Sequence, residues 1–112
     1  MHEIKDITII GGGPTGLFAS FYAGMRGATA QIVDTLPQLG GQLTALYPEK
    51  YIFDVAGFPK VLAKDLVRDL TEQAGQFKFP SYLGQHVIGL EEEDGHFVLV
   101  TESARFPTRS VL

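Results

Sequence analysis

Asp6-Ile7-Thr8-Ile9-Ile10-Gly11-Gly12-Gly13-Pro14-Thr15-Gly16 is the stretch on which the fold turns. The β-branched run Asp6 to Ile10 stops abruptly at glycine, as a buried parallel strand does. Beyond Gly16, the segment Leu17, Phe18, Ala19, Phe21, Tyr22, Ala23 and Met25 reads as a largely apolar helix, with polar breaks at Ser20 and Arg26. Gly27 is placed to close that helix at its C′ position. Thr29 to Val33 makes a second strand, and Asp34 stands at its end.

Strand, glycine turn, helix, strand and terminal acid together form the pattern of a dinucleotide-binding unit. Glycines 11, 13 and 16 satisfy Gly-x-Gly-x-x-Gly. The first permits a tight turn out of the strand. The second leaves room for a pyrophosphate against the backbone, and the third lets helix and strand pack closely. The free N–H groups and positive dipole end of the helix face the phosphates. Asp34 lies at the tip of the second strand, where a carboxylate accepts from ribose hydroxyls and disfavours a 2′-phosphate. The expected nucleotide is therefore FAD or NAD rather than NADP.

Outward from this unit, Leu36 to Pro59 is a long excursion carrying Gly40-Gly41 and four aromatic rings. Long loops in compact domains are usually functional. Gly40-Gly41 lets backbone approach a flat ring or a phosphate, and Gln42 can donate and accept at the mixed edge of an isoalloxazine. Tyr51, Phe53 and Phe58 read as loop packing. Val61, Leu62, Leu66, Leu70, Ala74 and Phe77 recur at helical spacing and predict an amphipathic packing helix. Lys60, Lys64 and Arg68 follow one another at i, i+4, but interleaved acids argue against a phosphate site. Gln85 to Glu92, the turn Asp94-Gly95, and His96 to Thr101 predict a hairpin. Ser103 to Phe106 adds a third strand, and Arg109 to Leu112 begins a buried one. The fold class is α/β: a Rossmann-like three-layer domain with a parallel sheet and an antiparallel β-meander at its C-terminal end.

The chain has 112 residues and a formal net charge of −4. The acidic balance and the lack of a basic block argue against nucleic acid. No apolar run nears the roughly 20 residues needed to cross a bilayer, and no secretory signal is evident. The chain has no cysteine, which excludes disulfides and thiolate metal sites. Glu91-Glu92-Glu93-Asp94 reads as a solvated edge, and His2, His86 and His96 lack ligand spacing, so no metal site and no catalytic residue is expected.

Ile9 to Leu17, Asp34 and Leu39-Gly40-Gly41-Gln42-Leu43 together resemble the FAD domain of two-dinucleotide-binding flavoproteins of the thioredoxin-reductase-like branch. The longer run Pro37 to Pro59, with Tyr47-Pro48-Glu49-Lys50-Tyr51 inside it, is similar to the thioredoxin-reductase-like ferredoxin–NADP⁺ reductases of bacteria and archaea. That resemblance implies FAD contacts at Gly11, Gly13, Pro14, Thr15 and Gly16, at Asp34 for the ribose, and at Gly41, Gln42 and Tyr47 on the flavin side. It implies a further contact at Val87, through the backbone to the adenine end. It also implies hydride transfer from NADPH to the flavin and one-electron delivery to ferredoxin, in a cytoplasmic homodimer of chains about three times this long. In that family the FAD domain is split, so residues 1–112 are expected to be its first segment, with the NADPH domain and second FAD segment absent and no activity of this chain alone. A thioredoxin-reductase-like flavoprotein fragment, a stand-alone dinucleotide-binding module without turnover, and an NAD-binding domain remain alternatives on the residues themselves.

Overall fold

A computed structural model describes residues 3–112; the predicted lack of ligand spacing at His2 falls outside them. Strand β1 (Ile7–Ile10) leads into helix α1 (Pro14–Met25) and strand β2 (Ala30–Val33). A short helix α2 (Gln42–Ala45) and a two-residue hairpin, β3 (Tyr51–Ile52) with β4 (Val61–Leu62), precede helix α3 (Ala63–Ala74). Strand β5 (Ser81–Tyr82) follows, then β6 (Gly89–Glu93), β7 (His96–Val100) and β8 (Arg105–Thr108).

Strands β1, β2 and β5 pair in parallel in that spatial order, with Ile9 opposite Ile32 and Val33 opposite Tyr82. On the far side of β1, Val111 bridges Thr8 in parallel, and the Ile10 N–H donates to the Leu112 carbonyl at 2.8 Å. The predicted strand at Arg109 to Leu112 is thus present as a bridge, with Val111 half-buried and Leu112 exposed.

Alternate residues of a strand face opposite sides of the sheet, and two hydrophobic clusters divide accordingly. Ile9, Ala30 and Ile32 pack with Leu17 of α1 and Ala74 of α3. Val33 points the other way and packs with Leu99 and Phe106 of the meander β6-β7-β8. Helices, parallel sheet and antiparallel meander are therefore three layers. Between sheet and meander lies a buried polar pair, Gln31 Nε2 donating to Thr8 Oγ1 at 2.8 Å.

The meander turns at Asp94 and Gly95, whose φ values of 49° and 84° are those of the type I′ hairpin the dipeptide predicts. Arg105 binds Glu91 and Glu93 across the sheet at 2.9 and 2.8 Å, so two members of the acid run are paired on its surface. These carboxylates hold the Arg105 guanidinium pKa above its usual value, the Glu91 hydrogen bond contributing most.

Several boundaries differ from the sequence expectations. Val61 and Leu62 are strand rather than helix, because they pair with Ile52 and Tyr51. The ladder of the first meander strand starts at Gly89 rather than Gln85. Residues 85–88 are engaged elsewhere: the Gln85 N–H donates to the Asp34 carbonyl at 2.8 Å. The third meander strand runs Arg105–Thr108 rather than Ser103 to Phe106, since Thr101 Oγ1 accepts the Ser103 and Ala104 N–H groups and closes a turn there. Gly27 follows the C-cap Arg26 with φ 75°, as the predicted C′ residue requires.

Candidate functional site

The site is built where β1 ends. Gly11 leaves the strand at φ 109°, a left-handed conformation that L side chains rarely adopt, and its N–H donates to the Val33 carbonyl at 2.9 Å. Helix α1 begins two residues after Gly12, with Gly13 as N-cap and Pro14 in its first turn. Pro14 has no N–H to satisfy, which suits it to that position. No side chain caps the helix and its first turn carries no acid. The N–H groups of Thr15 and Gly16 precede the first intrahelical bond, from Leu17 N–H to the Gly13 carbonyl at 2.9 Å.

The three pattern glycines meet different surroundings. A Cβ at Gly16 would lie 1.9 Å from the Gly11 carbonyl oxygen, so helix and strand turn are in backbone contact there. A Cβ at Gly11 would meet nothing within 4 Å, and one at Gly13 only the Gly41 Cα at 3.8 Å. Open space beside a bare backbone at the positive end of a 12-residue helix is a cradle that fits a pyrophosphate.

Asp34, half-buried at the end of β2, turns its carboxylate back on the loop. Oδ2 accepts the Gly12 N–H at 2.7 Å and Oδ1 the Leu36 N–H at 3.1 Å. A carboxylate offers about four acceptor positions, so two remain for ribose hydroxyls.

The second glycine pair docks on the first. The Gly40 N–H donates to the Gly12 carbonyl at 2.8 Å, and Gly41 sits against Gly13 with φ 59°. Gln42, predicted in a loop, opens α2 and is exposed. Tyr47 is exposed as well, with the Lys50 ammonium 5.1 Å from its ring centroid. Val87 is half-buried against the meander cluster, two residues beyond the Gln85 N–H that binds the Asp34 carbonyl. The fold thus gathers Gly11, Gly13, Gly16, Asp34 and Gly41 through direct contacts and brings the Val87 segment alongside Asp34. Gln42 and Tyr47 follow on the surface next to Gly41. Sequence reasoning missed Gly12 and Gly40 as the joints of the two loops. The signal was the extra glycine in each of the runs 11–13 and 40–41.

A cavity of about 640 Å³ lies elsewhere, on the outer face of the meander, among Ile4, Glu93, His96, Val98, Arg105 and Pro107. It shares no residue with the glycine loops.

Comparison with known proteins bears on this arrangement. The family model described as FAD dependent oxidoreductase matches residues 6–96. A protein of Halalkalibacterium halodurans named ferredoxin–NADP reductase is 56% identical over 111 residues, which are 98% of this chain and 34% of that protein. One of Shouchella clausii named ferredoxin–NADP reductase 2 is 58% identical over the same shares. The chain therefore spans about a third of the length of the curated relatives it matches. Among solved structures, thioredoxin reductase from Streptococcus pyogenes superposes with a TM-score of 0.84 at 22% identity, covering 99% of this chain and 35% of that one. Thioredoxin reductase from Lactococcus lactis superposes with a TM-score of 0.81 at 22% identity, covering 96% and 34%. These two likenesses establish the fold alone.

Proposed function

The chain belongs to the FAD dependent oxidoreductase family, and from that membership we propose that it is the first segment of a split FAD domain in a reductase passing electrons between NADPH and ferredoxin. The observation that carries the reading is the double glycine cradle: the Gly11–Gly16 loop at the head of α1, bound through Gly12 and Gly40 to the loop that leads into Gln42. The 56–58% identity to proteins named ferredoxin–NADP reductase supports the choice of electron partners.

Each residue of this chain has a task under the proposal. The Thr15 and Gly16 N–H groups bind the pyrophosphate, and Gly11 and Gly13 keep the approach free of side chains. Asp34 uses its two remaining acceptor positions for ribose hydroxyls. The Val87 backbone meets the adenine end. Gly41, Gln42 and Tyr47 hold the flavin side, Gln42 by hydrogen bonding and Tyr47 by ring contact. When bound, the isoalloxazine supplies the exchange between a two-electron hydride donor and a one-electron carrier. No residue of this chain is required as general acid or base. The NADPH site and the remaining flavin contacts lie outside the 112 residues on this reading, and the working form is a cytoplasmic homodimer. Among the described residues no helix is long and apolar enough to cross a membrane.

The test is to purify the chain, record its visible spectrum, and identify any nucleotide released by heating. Released FAD, or FAD taken up on titration, supports the assignment. Release of NAD instead would convert the chain to a nicotinamide-binding domain; where the segment takes up neither, the same test is run on the longer protein, and absence of FAD there overturns the cradle. The electron partners are tested on the longer protein, where NADPH must reduce ferredoxin. A protein that holds FAD but is not reduced by NADPH is a binding module, and the proposed activity is then wrong.

A further inference from the structure

We propose that Thr44 is a positioning residue for the flavin side of the site, acting through the Gly40–Gly41 turn. Its hydroxyl donates to the Leu39 carbonyl at 2.9 Å. It also fills the space beside Gly40, where a Cβ would lie 1.8 Å from Thr44 Oγ1. Gly40 is buried and held at φ 109°. In that conformation its N–H reaches the Gly12 carbonyl at 2.8 Å. Gly12 in turn donates its N–H to Asp34 Oδ2 at 2.7 Å. A brace therefore runs from the carboxylate at the ribose position, through Gly12 and Gly40, to the first helical turn after Gln42. Thr44 closes its far end.

The physical reason is that the Gly-Gly turn has no side chains of its own. Two glycines at positive φ lose more conformational freedom on folding than any other pair, so an outside group must hold the turn. The helix α2 that follows has only 4 residues and no side-chain cap, too short to hold itself. The Thr44 hydroxyl, bonded to the carbonyl that precedes Gly40, supplies the missing constraint. It fixes where Gly41 and Gln42 stand relative to Gly13.

The inference rests on the FAD-binding reading above, and the experiment separates the two. The full chain is compared with Thr44→Val, which keeps the shape and removes the hydroxyl, and with Thr44→Ser, which keeps the hydroxyl. Three readouts are taken: FAD affinity by titration, the visible circular dichroism of bound flavin, and amide hydrogen exchange at Gly40 without FAD. Loss of one hydrogen bond of ordinary strength corresponds to about five- to tenfold. Thr44→Val is expected to weaken FAD binding by about that factor, reduce the flavin dichroism, and speed Gly40 exchange by a similar factor, while Thr44→Ser behaves as the unsubstituted chain. Thr44→Ala against Thr44→Ser makes the same comparison if the valine variant does not fold. Unchanged affinity and Gly40 exchange without the hydroxyl overturn the proposal and leave FAD binding standing. Faster Gly40 exchange with unchanged affinity also overturns it, since the turn is then held by Thr44 for folding only. An unsubstituted protein that binds no FAD even at the length of its relatives removes the parent reading, and this one with it.

Discussion

Gly16 faces a carbonyl at a distance no side chain can share. An added Cβ would stand 1.9 Å from the Gly11 oxygen and 3.1 Å from its carbon, both backbone atoms, so Gly16→Ala must push α1 away from β1. Overpacking of this kind costs about 1–3 kcal/mol, and the displaced helix carries the Thr15 and Gly16 N–H groups with it. Denaturant unfolding should show that loss, and FAD titration should show affinity falling together with stability. Asp34 differs because its carboxylate serves two masters, the Gly12 and Leu36 N–H groups and, as proposed, the ribose. Asp34→Ala leaves the Gly12 N–H of a buried residue without its acceptor, at about 1–3 kcal/mol. Affinity for FAD should fall on the same scale. Asn, which keeps one acceptor, should recover part of the stability. A variant that loses stability but binds FAD unchanged would leave Asp34 a brace and remove its ribose role.

Where strands β1 and β2 start, Asp6 ties them together. Its carboxylate accepts the Thr29 N–H at 2.8 Å, and its own N–H donates to Thr29 Oγ1 at 2.9 Å. The Thr29 backbone bond, then the Thr29 hydroxyl, holds the Asp6 carboxyl below the usual carboxylate range, with the Arg109 charge adding a little. A pKa lower in the folded chain than in the unfolded one gives stability that is present above the unfolded value, near pH 4, and lost as pH falls through the folded value. Denaturant midpoints measured from pH 6 to pH 2 should therefore fall less steeply for Asp6→Asn than for the unsubstituted chain. Equal slopes would deny the brace. At this scale the sequence was most readable where one local rule set the outcome. The β1–α1–β2 unit follows from the Gly11, Gly13 and Gly16 spacing, and the β6–β7 turn from Asp94-Gly95. It was least readable where a short strand exists only through its partner. Ser81–Tyr82 is strand because it lies beside Ile32 and Val33, and Val61–Leu62 because it meets Tyr51 and Ile52. Two residues carry no period of their own. The site divides the same way: the open glycines were legible from spacing, whereas the bond from Gly40 to Gly12 joins positions 28 apart in sequence and has no local signature.

For the whole molecule, the sheet is covered on two faces by two thin cores, one of helices and one of meander. The chain is drawn out, with a radius of gyration of 14.6 Å and extents of 47 × 29 × 19 Å, against about 13 Å for a compact domain of this length. Ile10, Phe18, Tyr22 and Met25 stand exposed around the head and outer face of α1. A shape that buries little per residue has a small stability margin, and in such a molecule a ligand shared by several elements weighs heavily. The cradle draws on β1, α1, the end of β2 and the loop before α2, so FAD bound there would reinforce the β1–α1–β2 unit and tie to it a loop whose backbone bond to the glycine turn is Gly40 N–H to the Gly12 carbonyl. Free FAD at one hundred times its dissociation constant adds about 2.7 kcal/mol to the folded state, which for a domain of this size raises the unfolding midpoint by about 10 °C or more. Gly13→Val separates this linkage from general stability. The new side chain meets only the Gly41 Cα near its Cβ, and the N-cap backbone at φ −76° accepts any residue, but the side chain stands where the proposed pyrophosphate would lie. The variant should melt near the FAD-free midpoint of the unsubstituted chain and show no rise with FAD. A full FAD-dependent rise in Gly13→Val would move the nucleotide away from this loop, whatever else the chain binds.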